Sequence, residues 1–160
     1  PADMYFYIPI LRSQAEEAKI QVHYMSYYHK WSPQENYYYA KEHTGFESNP
    51  DGRSEGSYTK FASLDDKIDG QHYYTMYIKF GQGRAMNDAG RDIRDGYITR
   101  EEGADLVRKY DGEFPKKYFK ETLKYMGITE EKYWEVIENA RSPHLWDKKL
   151  GKWQLRHPIR

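Results

Sequence analysis

The feature that most constrains this chain is its punctuation. Helix-starting residues and glycines alternate at short intervals: Ser32-Pro33 then Gly45, Ser63 then Gly81 and Gly83, then Gly96, Thr99 with Glu102, Pro115 then Gly127, and Thr129 before Glu130-Glu131. Ser and Thr side chains accept from the free amides of a helix start, Pro is tolerated at the first helical position, and Gly adopts the left-handed turn that ends a helix. A chain divided this way builds short helices. The spacing predicts them over about 33–44, 64–80 and 84–95, with three shorter ones opened by Thr99, Pro115 and Thr129. The expected class is therefore mainly α, with five to six helices and a minor β component. Alternation of Ile20, Val22 and Tyr24 with Gln21 and His23 predicts a strand over 20–28. Trp146 and Trp153 around Lys148-Lys149-Leu150-Gly151 predict a hairpin in the tail. The apolar run from Met4 to Leu11 reads as a severed strand or a packing arm.

The core has an unusual composition. Only 38% of residues are hydrophobic, yet aromatics reach 17% and there are 17 tyrosines, so the interior must be built largely from rings. Such rings bury much area while a hydroxyl or indole N–H still needs a partner. A polar-rimmed aromatic core is the simpler reading, and a cleft lined by phenols the sharper one.

Other classes drop out. With no cysteine there is no disulfide framework, thiolate zinc site or cysteine nucleophile. Twenty-five basic residues balance 25 acidic ones, which argues against a nucleic-acid or anionic-membrane binder. No apolar run approaches the ~18 residues of a membrane span. The start at Pro1 lacks Met and the basic opening of a signal peptide, so the expectation is a cytoplasmic piece of something longer.

Several motifs carry chemistry in principle. Aligning Gly96 with a calcium-loop glycine puts Arg91 and Ile93 where two oxygen ligands belong, so calcium is rejected. Phe80-Gly81-Gln82-Gly83-Arg84 could present amides to an anion, although on spacing alone a helix break suffices. The ladder Arg84, Asp88, Arg91, Asp92, Arg94, Asp95 is either a solvated row of ion pairs, each contributing ~0.3–0.5 kcal/mol, or a grip for phosphate or carboxylate. Asp65, Asp66 and Asp69 suit either water-mediated magnesium or a helix start. His72 shares a helix ridge with Asp65, Asp69 and Lys79, without zinc spacing. Ser48-Asn49-Pro50-Asp51-Gly52 opens a long loop, 46–60, of the kind that often carries function. The last short helix is acidic through Glu130, Glu131, Glu135 and Glu138, which argues against DNA.

Taken together, certain letters resemble one family. These are Arg53-x-Glu55-Gly56-x-Tyr58, Asp65-Asp66-Lys67-Ile68-Asp69-Gly70, Lys79-Phe80-Gly81-x-Gly83-Arg84, Asp88, Asp92-Ile93-Arg94-x-Gly96-x-Ile98-Thr99-Arg100-Glu101-Glu102 and Lys109-Tyr110-Asp111-Gly112-Glu113-Phe114-Pro115. In that order they resemble the N-acetyl sugar amidotransferases of the WbpG/PseA type, from lipopolysaccharide and flagellin-sugar biosynthesis. The family's Ser-Gly-Gly-x-Asp-Ser loop and zinc-type cysteines do not occur here, so the resemblance is to the C-terminal portion alone.

The resemblance implies the C-terminal part of an adenine-nucleotide α-hydrolase-like α/β enzyme of the pyrophosphate-loop ATPase class. Residues 1–32 would be a remnant of the nucleotide-binding domain, 33–142 a helical substrate-side domain, and 143–160 a tail. The implied reaction turns a sugar acetamido group into an acetamidino group, using ATP, Mg²⁺ and ammonia from a glutaminase subunit. Lys79, Arg84 and Asp88 are then the catalytic candidates, and Arg91, Arg94 and Arg100 the cofactor-binding ones. Arg53, Glu55, Tyr58 and His72 are substrate candidates, and Asp65, Asp66 and Asp69 metal candidates. Expected partners are a nucleotide-linked N-acetyl sugar, the glutaminase subunit and a second copy in a homodimer, with no nucleic acid or membrane. No cofactor is expected to bind this piece tightly. The alternative is a non-catalytic helical interaction module.

Overall fold

The computed structural model describes residues 7–159. The chain divides into two compact units, with the boundary between Trp31 and Ser32.

In the first unit, α1 (Arg12–Glu17) is a six-residue helix stabilised by Arg12 on Glu16 at 2.8 Å and by the Gln14 amide oxygen on the Leu11 N–H. The strand expected over 20–28 is absent. A single 3-10 turn (Met25–Tyr27) replaces its second half, closed by Tyr27 N–H on the Tyr24 carbonyl at 2.9 Å and Tyr28 N–H on the Met25 carbonyl at 2.9 Å. Alternation makes a strand only where a neighbouring strand receives the amides, and none does among the described residues. Of the apolar run from Met4, the part up to Phe6 lies outside the described residues; Tyr7, Ile8, Ile10 and Leu11 are exposed and form no strand.

The second unit holds α2 (Pro33–Thr44), α3 (Asp69–Phe80), α4 (Arg84–Asp95), α5 (Arg100–Tyr110), α6 (Phe119–Met126) and α7 (Glu130–Asn139). A two-stranded antiparallel hairpin follows, β1 (Trp146–Lys149) and β2 (Lys152–Leu155), turning at Leu150-Gly151 as expected. The described residues thus contain seven α-helices rather than five or six, and the mainly helical class holds. The tail hairpin belongs to the same unit as the helices.

Local chemistry explains most boundaries. Ser32 Oγ accepts from the Glu35 N–H at 3.3 Å and Gly45 closes α2 at φ 72°. Thr99 and Glu102 form a reciprocal capping box on α5. The helix expected from Ser63 starts later. Ser63 sits at φ 58°, which no helix start uses, and the Asp66 carboxylate instead takes the N–H groups of Ile68 and Asp69 at 2.6 and 2.9 Å. An Asp side chain that captures nearby amides caps a helix better than it continues one. Leu64, Ile68 and Thr75 are consequently exposed, and the buried positions of α3 are Gln71, Tyr73, Tyr74 and Ile78. Pro115 likewise precedes α6 by one turn rather than opening it.

The core is aromatic, as the composition required. Tyr74, Ile78, Phe119, Tyr133, Ile137 and Trp146 form one cluster. Phe114 meets Tyr74 and Phe119 edge to face at 5.3 and 4.9 Å. The Trp146 indole N–H donates to the Ile78 carbonyl at 2.7 Å, which anchors the hairpin on α3. Helices α4 and α5 approach closely because Gly103 leaves room: a Cβ there would lie 2.6 Å from Ile93 Cδ1. No helix among the described residues is long and apolar enough to cross a membrane.

Candidate functional site

Residues 46–68 carry no helix or strand, and this long loop folds back over the start of α3. Its internal bonds hold it in place: Asn49 N–H to the Lys60 carbonyl at 2.9 Å, and Ser54 Oγ to the Ala62 carbonyl at 3.2 Å. Between the loop, the first turn of α3 and the 115–122 segment lies a cavity of about 510 Å³. Five acidic residues line it (Glu47, Glu55, Asp65, Asp66, Asp69) against three basic ones (Arg53, Lys67, Lys117), a net charge of −2.

Five candidate residues therefore share one wall: Arg53, Glu55, Asp65, Asp66 and Asp69. Four of them are tied to the protein as well, Asp69 through the Tyr73 hydroxyl at 3.4 Å. Arg53 grips Glu113 with a two-pronged bond, at 2.6 and 2.7 Å, and lies over the Tyr110 ring at 4.4 Å. Glu113 also accepts from the Gly56 N–H at 2.9 Å. Its hydrogen bond to Arg53 pulls the Glu113 carboxyl below the ordinary glutamate value, against the opposing effect of burial. Glu55 takes the N–H groups of Lys116 and Lys117 at 3.0 and 3.2 Å, which staples the loop to the 115–122 segment. Asp66 caps α3. No grouping of three or more His, Asp or Glu side chains able to hold a metal ion occurs among the described residues, so the three aspartates share a wall without forming a metal cluster.

Gln71 is 6% exposed and belongs to the same wall. Its Oε1 accepts from the Tyr133 hydroxyl at 2.6 Å, while its Nε2 has no partner.

The other candidates lie elsewhere. Asp88 is buried, held by Ser57 Oγ at 2.9 Å and by Arg84 Nε at 2.7 Å. Arg84 also donates to the Tyr73 hydroxyl at 2.9 Å. Burial disfavours the Arg84 charge, but Asp88 outweighs it and the guanidinium pKa is raised. Burial pushes the Tyr73 phenol up to about 12, partly offset by Arg84, so this hydroxyl is a neutral bridge; it also meets Ser63 Oγ at the cavity wall. Tyr58 points its hydroxyl at Asp92, 2.6 Å away, and burial followed by that bond raises its pKa. Lys79, His72, Arg91, Arg94 and Arg100 are exposed and none lines the cavity.

The Gly-rich break has a filled anion position. Asp111 Oδ2 accepts from the Gly83 N–H at 2.8 Å and Oδ1 from the Met86 N–H at 3.2 Å. The start of α4, an anion site in principle, is thus neutralised by the chain's own carboxylate.

Sequence reasoning missed Asp111, Glu113 and Gln71 as site-shaping residues. The first two stand inside the quoted Lys109-to-Pro115 stretch, but their partners lie 28 and 60 residues away. It also passed over Lys116, Lys117 and Lys120, although that run was visible as charge density.

The family model described as "LPS biosynthesis protein WbpG-like, C-terminal domain" matches residues 55–160. No curated protein matches the chain. The matched span starts at Glu55, the loop residue that staples the cavity, and takes in the 63–71 and 115–122 walls. Since that span is well over half of the chain, this chain belongs to the WbpG-like lipopolysaccharide biosynthesis proteins and carries their C-terminal domain.

Proposed function

We propose that this chain is the sugar-binding part of an ATP-dependent N-acetyl sugar amidotransferase, acting in the conversion of an acetamido to an acetamidino group for a surface polysaccharide. The observation that carries the reading is the acid-lined cavity of about 510 Å³, walled by Arg53, Glu55, Asp65, Asp66 and Asp69. Carboxylates accept from ring hydroxyls, and hydroxyl-bearing Ser48, Ser54 and Ser63 with the amide of Asn49 supply further polar contacts. The net negative charge disfavours phosphate there.

The described residues do not fit ATP or Mg²⁺. The amides of the Gly turn are taken by Asp111, Arg84 is taken by Asp88, and no acidic cluster is arranged for a metal. In this proposal nucleotide activation belongs to another part of the enzyme, and ammonia comes from a glutaminase subunit. The test is a titration of the 160-residue chain with N-acetylglucosamine, read by chemical shifts of cavity residues. Saturable shifts, weakened severalfold by Asp65→Asn, are expected; their absence refutes the reading.

A second reading, an interaction module for the glutaminase subunit or another copy, is favoured by one observation. In the first unit Ile8, Leu11, Val22, Tyr24, Tyr27 and Trp31 are all more than half exposed. Concentration-dependent mass by light scattering, abolished by Val22→Asp with Tyr27→Asp, would support self-association.

A further inference from the structure

Most of the cavity lining is open to solvent, but three lining residues are buried: Gln71, Pro115 and Thr122. Together they make its floor. The first turn of α3 presses onto Pro115 there, since a Cβ on Gly70 would lie 2.9 Å from the Pro115 Cβ.

The two polar members of the floor are complementary. Gln71 Oε1 is taken by the Tyr133 hydroxyl at 2.6 Å. Burial raises the Tyr133 phenol, so this hydroxyl stays neutral and donates. The amide is thereby oriented, and its Nε2 is left buried with two donors and no partner. Thr122 is the converse. It is 3% exposed, and its hydroxyl proton is used on the Tyr118 carbonyl at 3.0 Å, so its Oγ1 can only accept. The floor thus offers one buried donor, one buried acceptor and an apolar ring.

Buried donors in folded chains are almost always paired, so the Nε2 group points to an acceptor supplied by a ligand. A secondary amide matches all three features: its carbonyl oxygen takes the Nε2 donor, its N–H gives to Thr122 Oγ1, and its acyl carbon packs on Pro115. A hydroxyl meets fewer of them. An ammonium carries donors alone and faces Nε2 donor to donor. The cavity acids pull the other way, towards a cation. Glu47, Asp65 and Asp66 are exposed, however, and water and salt screen them to a severalfold effect at most. Satisfying a buried donor is worth about tenfold, so the floor decides.

We infer that Gln71 and Thr122 are specificity-determining residues: they make this acid-lined cavity select a sugar by its N-acyl amide, over the amine or the plain hydroxyl at the same ring position. The inference rests on the sugar reading of the cavity.

The test titrates the 160-residue chain with N-acetylglucosamine, glucose and glucosamine. N-acetylglucosamine should bind about tenfold more tightly than glucose, and glucosamine more weakly than N-acetylglucosamine. The side-chain NH₂ resonances of Gln71 should shift with N-acetylglucosamine and stay in place with glucosamine. Gln71→Glu keeps an oxygen for Tyr133 but removes the donor, and Thr122→Val removes the acceptor at constant shape. Each should cut the preference for the amide to about threefold or less. Tyr133→Phe with Gln71→Leu removes the donor without stranding either group, and it should lose the preference even if Gln71→Glu fails to fold; thermal melts check folding. If N-acetylglucosamine and glucose bind alike, if glucosamine binds most tightly, or if the folded variants keep the preference, the floor assignment is refuted while the sugar reading stands. If no probe binds, both fall.

Discussion

The Asp111 carboxylate sits on the backbone of Gly83, with Oδ2 2.8 Å from the amide nitrogen. This contact joins the end of α5 to the start of α4 and fills the place where an external anion would otherwise bind. It also explains the glycine, since a Cβ on residue 83 would lie 2.8 Å from Asp111 Oδ1. Asp111→Ala should cost about 1–3 kcal/mol, the usual penalty for stranding partly buried donors. Asp111→Asn should cost less, because an amide oxygen still accepts. Gly83→Ala should resemble Asp111→Ala, by pushing the carboxylate off its donors. Urea unfolding midpoints check all three, and a neutral Asp111→Ala would show that the contact contributes nothing.

Lys79, Arg84 and Asp88 separate on stability. Arg84→Ala leaves Asp88, 6% exposed, without its cation and should destabilise by about 3–5 kcal/mol. Lys79 is exposed at the end of α3, so Lys79→Ala should stay within about 0.5 kcal/mol. Thermal melts decide. If Arg84→Ala melts normally, the pair is free to act on a ligand and the structural role assigned to it fails.

These outcomes show where sequence reading works on this chain. The bounds of α4, the Thr99–Glu102 capping box and the hairpin turn at Leu150-Gly151 were all legible, because each depends on residues a few positions apart. Arg53, Glu55 and the three aspartates stand in the quoted motifs, but that they line one cavity depends on a long loop folding back and was not legible. The start of α3 was not legible, because Ser63 and Asp66 compete for the same role and the left-handed backbone at Ser63 decides the contest. The fate of Arg84 was hidden for another reason. Its i,i+4 spacing to Asp88 is visible, but its surroundings are not: Ser57 reaches Asp88 from a loop 31 residues away, and the Tyr73 hydroxyl accepts from Arg84. The alternating segment 20–28 matched a strand pattern, yet no pattern within a segment supplies the neighbour a strand requires.

The Arg53–Glu113 bond predicts a pH dependence. Glu113 titrates below its ordinary 4.5 in the folded chain, so the folded state holds fewer protons than the unfolded one as pH drops through that region. Its contribution is fully present above about pH 4.5 and is lost progressively as pH falls through the lowered value. Glu113→Gln should therefore be less stable than wild type at pH 7, with the gap closing below pH 4.5. Asp111 has the opposite sign. Burial raises its pKa, so the cost of its charge is complete above the raised value and is relieved as pH falls toward 3.8. Between pH 3 and 7 the destabilisation of Glu113→Gln relative to wild type should grow with pH and that of Asp111→Asn should shrink, as read from unfolding curves; gaps that do not change with pH refute the assignment.

Tyr133 and Gln71 offer the sharpest link between core and cavity. The Tyr133 hydroxyl fixes the Gln71 amide by donating to Oε1 at 2.6 Å, and Tyr133 itself packs on Phe119 at 5.0 Å in the aromatic core. Removing the hydroxyl alone leaves the ring packing and strands a buried acceptor, so Tyr133→Phe should cost about 1–3 kcal/mol. Gln71→Leu removes both the accepting oxygen and the unpartnered Nε2 but strands the Tyr133 hydroxyl. The double variant Tyr133→Phe with Gln71→Leu strands neither group, and it should recover part of the loss from either single change. That coupling, measured as a double-mutant cycle in urea, should be at least about 0.5 kcal/mol, as for residues in direct contact. Strict additivity would mean that the two side chains do not act together and that the cavity wall at Gln71 is not set by the core behind it.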